Sequence, residues 1–401
     1  MTAVSLPLHQ TQTDGTVQDN WQAPTGFRMA DIGIIPLLLS LPLLYFPKVL
    51  DGDTQLWVLG ASLIALLTFR TEKFILKSEF WLSLLCFACV VVYALRVDLE
   101  PSVTNLTGAA DFLRTGYTQV AFMTFWIISR REGGQYFGWA VRFTIVVWLL
   151  VALYQYVAIR TGLPVEFTGR FVPGRSGVPS LTSEPAAYGS LSVLHMMYLL
   201  AERKRQNGPF IAAAAVSVVL SGSLLALLLL PFPLMKMPQR IRVLAALTIP
   251  LAVFLDYTFS SAGVAARLGT FNHGLNVYDL LRDPSLNLRA GHIVFTLVEN
   301  FWNSVLLLQP VSFMQDYNEF AMKSGLFIRT GSNAILPSIG AVIYDYGIFG
   351  IFLLVAVLRG AAKQTSTPKG RLEKLAFIIA CLLNPIALSN PFLIMYAQKK
   401  N

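Results

Sequence analysis

The stretch GRFVPGRSGVPSLTSEPAAYG, residues 169–189, places Arg170, Arg175 and Glu184 just ahead of an apolar run. Proline is favoured at the first helical position and keeps the residue before it out of the helical region. Glu184 is therefore expected at the N-cap of a helix beginning at Pro185. The helix dipole there favours an ionised carboxylate by about 0.3–1 kcal/mol. Two readings stay open. Glu184 is a cap salt-bridged to Arg170 or Arg175, or all three belong to a site. Thr182 and Ser183 stand close by and would cap as well, and two arginines exceed the need of one carboxylate.

A second cluster lies in NLRAGHI, where Arg289 and His292 are three positions apart and share a face if the segment is helical. His273 precedes it, and QDYNEF follows with Asp316, Tyr317 and Glu319. Histidine titrates near neutrality and can move protons; a polar residue on an amphipathic helix is the plainer alternative. Asp51 and Asp53 in DGD resemble a metal–nucleotide carboxylate pair, but their place between two close apolar runs favours a tight turn. His195 and Asp345 fall inside apolar runs, where ionisable groups usually face the bundle interior. Cys86, Cys89 and Cys381 also sit in apolar runs, where thiols usually serve packing.

The elements that must position these groups are membrane helices. Of 401 residues, 55% are hydrophobic and 13% charged, roughly half the charged share of a soluble protein. Apolar spans fall near 32–47, 56–69, 80–95, 118–129, 138–159, 186–201, 243–258, 334–358 and 375–396. Residues 210–235 are long for one helix and contain SGS, and 375–396 contain NPIALSNP. Each is expected as a pair of short helices or a re-entrant hairpin. The expected fold class is all-α, a polytopic transmembrane bundle of about twelve passes, both ends cytoplasmic. Residues 1–30 read as a flexible tail and 31–401 as one membrane domain, with large outer loops at 160–185 and 259–331.

Loop charge supports that layout. Segments assigned to the inside carry 18 Lys and Arg against 11 in the much longer outside segments, as the positive-inside rule requires. The net charge of +9 then reflects orientation rather than nucleic acid. The loop 259–331 has apolar residues at helical spacing, so one or two amphipathic helices are expected on the membrane surface.

Arg170, Arg175, Arg267, Arg289 and Arg329 all fall on the outer side in this layout. The planar guanidinium suits two-point contact with phosphate oxygens. With a carboxylate and a histidine, they point to a lipid carrying a phosphate or pyrophosphate. The chain has no G-x-x-x-x-G-K-[ST] segment, so energy must come from the substrate, as a glycosyl pyrophosphate-lipid would supply it.

Four stretches, spanning about 165–360 in order, resemble the O-antigen polymerase and O-antigen ligase superfamily: LTSEPAAYGSL, VVLSGSLLALLLLP, NLRAGHI and SNAILPSIGAVIYDYGIFGIF. The resemblance implies a C-type glycosyltransferase-like fold with a helical periplasmic loop, and catalysis without metal or other cofactor. It implies a polymerase of undecaprenyl-pyrophosphate-linked oligosaccharides on the periplasmic face of a bacterial inner membrane. A flippase and a chain-length regulator would be its partners. Glu184 and His292 would be catalytic, and Arg170, Arg175, Arg289, Tyr317, Asn333 and Asp345 would hold pyrophosphate or glycan. Two departures stand out: Leu224 replaces an arginine often found after SGS, and Ser332 replaces the ligase branch's histidine before Asn333. A ligase and a transporter of lipid-linked sugars or polysaccharide remain the alternative readings, and a scaffold subunit would need no polar cluster.

Overall fold

The computed structural model describes residues 29–46, 55–68, 77–98, 105–131, 135–163, 177–202, 204–237, 239, 281, 283–307, 313–331, 335–384 and 386–399. These are mostly helical, with no strand among the described residues. Arg170, Arg175, Arg267, His273, Asn333, Asp51, Asp53, the span at 243–258 and the tail 1–28 lie outside them.

The first half of the bundle is α1 (Met29–Ser40), α2 (Leu56–Thr68), α3 (Lys77–Asp98), α4 (Asn105–Arg131), α5 (Gln135–Thr161) and α6 (Pro185–Glu202). Helix α4 starts well ahead of the apolar stretch that announces it, because Asp111 and Arg114 break the hydrophobic window without breaking the helix. Three described helices are long and apolar enough to cross a membrane: Ser78–Arg96, Tyr136–Ile159 and Ser338–Lys363. Leu67, Phe87, Leu95, Leu113 and Leu150 point outward from α2–α5, a surface suited to lipid.

Both interrupted segments fold back on themselves. Helix α7 (Gly208–Leu220) ends at a turn through Ser221 and Gly222, and α8 (Leu224–Leu229) and α9 (Pro231–Lys236) return along α6. Ser223 caps α8 by accepting from the Ala226 amide at 3.2 Å. Helix α14 (Pro368–Leu382) is followed by an interruption and then α15 (Pro391–Gln398), which lies back against it with Phe377 edge-on to Tyr396 at 5.4 Å. The Lys374 ammonium donates to the Lys399 carbonyl, closing that hairpin at its open end.

Between the hairpins come α10 (Pro284–Val294), a π-helical turn at Phe295–Glu299, α11 (Phe301–Leu306), α12 (Phe313–Ser324) and α13 (Ser338–Lys363). Helices are present here, as the spacing predicts. The π turn and α11 pack along α13, with Thr296 beside Gly340 and Val305 and Leu307 beside Gly347. A break in α13 makes room for them. Gly347 has φ 58° and ψ −134°, a conformation that is not helical and that costs a side-chain-bearing residue heavily. Its bare Cα admits Leu307, itself left-handed at φ 59°.

Helix α6 links the two ends of the bundle. Its 18 residues rise roughly 27 Å. At its C-terminus, Glu202 accepts from Arg142 at 2.6 Å and Asn207 at 3.1 Å, and lies 3.9 Å from Lys399. Lys236 and Glu373 pair nearby at 3.4 Å. Between the ends, Trp148 of α5 donates to the Pro42 carbonyl at 2.8 Å and meets Tyr188 and Phe392 edge to face. His195 is buried against Trp148 and Phe392, with ring centroids 5.4 and 4.4 Å away. The three cysteines are free and buried.

Candidate functional site

Glu184 stands where the sequence places it, directly before Pro185, its carbonyl accepting the Tyr188 amide at 3.1 Å. The preceding loop is held from α5. Gln155 donates to the Ser180 carbonyl at 2.9 Å and accepts the Ser180 amide at 2.7 Å, while the Ser180 hydroxyl donates to the Trp148 carbonyl at 2.6 Å. Ser180 takes a positive φ of 53° there. The Val178 amide reaches the Leu220 carbonyl of α7 at 3.0 Å, and Thr182 Oγ1 donates to the Glu184 carbonyl at 2.9 Å. These bonds fix the backbone from which the Glu184 carboxylate projects.

That carboxylate faces Arg289. Arg289 Nη2 donates to Glu184 Oε1 at 3.2 Å across 105 positions of sequence, with the side chains 8% and 19% exposed respectively. Arg170 and Arg175, the partners offered by the sequence, lie outside the described residues; among the described residues the partner is Arg289, from the other large loop.

Helix α10 supplies Arg289 and His292. Asp283 caps it, accepting from Ser285 and Leu286 amides at 2.9 Å each. One turn after Arg289, His292 is fully buried. Its Nδ1 accepts the Leu336 amide at 3.2 Å, just ahead of α13. A nitrogen that accepts carries no proton, so the neutral ring holds its proton on Nε2. Nε2 has no hydrogen-bond partner among the described residues. Phe313 and Tyr317 of α12 meet the imidazole edge to face, at 4.8 and 4.5 Å. Burial, then the Arg289 charge, lowers the His292 pKa to about 4.

Tyr317 closes this box. Its hydroxyl donates to the Ile328 carbonyl at 3.0 Å, and its ring stacks on Phe313 at 5.4 Å. Burial raises its pKa to about 12. The hydroxyl passes so close to Gly291 that a Cβ would stand 2.3 Å from it. A glycine beside His292 is thus needed for the aromatic lid to seat. Two asparagines clamp the segment after α12: Asn287 accepts the Ile328 amide at 2.8 Å, and Asn318 bonds both the amide and the carbonyl of Thr330 at 2.7 and 2.9 Å.

Asp345 lies one element deeper, half-buried on α13 two residues before the break. Its charge acts on Arg96 of α3. Arg96 donates to the Tyr344 carbonyl and stacks over the Tyr344 ring at 5.1 Å; Tyr344 in turn meets Phe313 at 5.3 Å. A chain of contacts therefore runs from Arg96 through Tyr344 and Phe313 to His292. Of the expected residues, the structure joins Glu184, Arg289, His292 and Tyr317 in one cluster and sets Asp345 beside it. Sequence reading missed Arg96, because a basic residue closing an apolar span looks like an end-of-helix anchor. It missed Gln155, Asn287 and Asn318 because ordinary amides carry no signal of which loop they bind. Asp316 and Glu319 are on α12, where Glu319 pairs with Lys323 on the solvent side at 2.7 Å.

No family model, no curated protein and no solved structure matches the chain.

Proposed function

We propose that the chain is a polymerase of polysaccharide repeats linked to a polyprenyl pyrophosphate, undecaprenyl pyrophosphate in bacteria. It would cross the inner membrane about twelve times and act at its periplasmic face. The observation that carries the reading is the Glu184–Arg289 contact at 3.2 Å beside His292, at the end of α6 opposite the Glu202–Arg142–Lys399 cluster. Basic loops favour the latter end as cytoplasmic, which leaves the former facing outward.

In the proposed reaction an acceptor hydroxyl attacks the anomeric carbon of the donor. The carbon–oxygen bond to pyrophosphate breaks, and its electrons leave with the lipid pyrophosphate. Arg289 balances the charge that grows on the leaving group, with Arg170 and Arg175 as further candidates. Glu184, beside Arg289, would take the hydroxyl proton as general base. His292 enters as a neutral Nε2–H donor rather than as a base, since its Nδ1 is occupied by the Leu336 amide.

Support for a second reading, a carrier of lipid-linked sugars, comes from the broken α13 with Asp345 beside the break. Glycan analysis of a deletion strain separates the readings. Single uncapped repeats on the outer face are expected for a polymerase, and repeats retained inside would establish the carrier. Full-length chains left unattached to their final acceptor would mark a ligase. Arg289→Ala reproducing the deletion phenotype at normal protein level would tie the activity to this site.

A further inference from the structure

We infer that the interruption between α14 and α15 is a binding floor for the uncharged sugar ring of the substrate, with Asn384 and Ser389 as its recognising groups. This rests on the polymerase reading and names a subsite within it.

Asn384 is fully buried, yet neither its amide oxygen nor its amide nitrogen has a hydrogen-bond partner among the described residues. Ser389, 5% exposed on the same interruption, has a buried hydroxyl in the same condition. Buried amides and hydroxyls are almost always bonded, so two orphaned groups on one short interruption mark a place where something else bonds them. Irregular backbone inside a membrane bundle is tolerated where protein buries it or where it lines a cavity.

The interruption is tied to the candidate site. The Ser338 amide donates to the Asn384 carbonyl at 3.2 Å, and the Ser338 hydroxyl reaches the carbonyls of Asn384 and Ile386. Two residues earlier, the Leu336 amide holds His292. One short segment, residues 335–338, therefore bonds the imidazole on one side and the floor on the other. On α6, His195 offers a third orphaned atom, Nε2, and packs on Phe392, three residues beyond Ser389.

The chemistry of the two regions is complementary. Arg289 and Glu184 are charged and suit a pyrophosphate and a reacting hydroxyl. An amide offers two donors and an acceptor, and a serine hydroxyl offers both roles. That set is neutral, and it matches neighbouring hydroxyls of a pyranose rather than a phosphate. The interruption is closed over here, so binding requires the 335–338 segment to shift, which would move His292 with it.

The test uses the full chain in lipid nanodiscs and two probes: undecaprenyl pyrophosphate alone, and the lipid-linked repeat extracted from a deletion strain. Thermal stabilisation by each is compared in wild type, Asn384→Leu and Ser389→Ala. Wild type is expected to bind the lipid-linked repeat at least tenfold more tightly than the bare carrier. Asn384→Leu is expected to keep the bare-carrier affinity and lose that gain, while its unliganded melting temperature stays level or rises. Ser389→Ala should lose part of the gain. An undiminished gain in both variants overturns the inference and leaves the polymerase reading standing; the orphaned groups would then hold water only. No stabilisation of wild type by either probe overturns both.

Discussion

Helix α6 carries a glutamate at each tip, and each faces an arginine, yet the two ends are built differently. Glu202 is enclosed by Arg142, Asn207 and Lys399, and Lys399 also donates to the Tyr198 carbonyl at 3.1 Å and sits 3.7 Å from that ring centroid. Its bonding capacity is taken up by the protein. Glu184 faces Arg289 at 3.2 Å, and the neighbouring imidazole keeps Nε2 unbonded among the described residues. The first arrangement is a lock between helices α5, α6 and the C-terminal hairpin. The second keeps one side-chain atom, His292 Nε2, without a partner among the described residues. On the proposed function, identical residue types serve anchorage at one tip and chemistry at the other, and the difference lies in what surrounds the carboxylate.

The strongest way to break this comparison is to remove one arginine from each end. Arg289→Ala is expected to abolish polymer, by at least a hundredfold in chain product per folded molecule, beyond any loss of stability. Arg142→Ala is expected to lower the unfolding temperature and leave chain product per folded molecule unchanged. Removing one partner of a buried pair costs about 3–5 kcal/mol; with Arg142 partly exposed at 16%, the expected loss is nearer 1–3 kcal/mol. Polymer sizing and thermal unfolding of the same preparations decide it.

Glu184→Gln comes next. A positioned base contributes typically 10²–10⁴ in rate, so product should fall by that factor with membrane insertion intact. Unchanged chain length would remove Glu184 from the mechanism.

The third expected effect concerns pH. His292 has its folded pKa lowered to about 4, against about 6.5 unfolded. Between these values the unfolded chain binds the extra proton, so stability falls as pH drops from 6.5 to 4 and is flat above. The full difference is about 3 kcal/mol. His292→Asn should flatten the wild-type slope in that window, as read by denaturation at a series of pH values.

Asn318→Ala removes two bonds to Thr330, with a cost of roughly 1–2 kcal/mol. Faster hydrogen exchange at the Thr330 amide, with Ile328 held by Asn287, would show the clamp acting locally. The smallest effect belongs to Glu319→Ala, whose solvent-exposed pairing with Lys323 is expected to move neither product nor unfolding temperature.

The helices and their interruptions were legible where the residues act locally. Pro185 starts α6, SGS turns the first hairpin, and the paired Asn-Pro steps break the second. What sequence could not supply is contact between remote segments. Glu184 meets Arg289 across 105 positions, a contact that neither segment's own residues encode. Arg96 and Asp345 stand close only because α3 packs on α13, a fact of three dimensions that neither residue's neighbours encode. The outer loop's helices were visible in spacing, but spacing gives a face and not the surface that covers it.

Because the two carboxylates ride on one uninterrupted rod, their relative bearing is set by residue count alone. One extra alanine inserted midway through α6 would turn one tip about 100° against the other and push it about 1.5 Å further. The protein would then have to choose which arginine to keep, and the choice it made would reveal which end of the molecule holds the tighter grip.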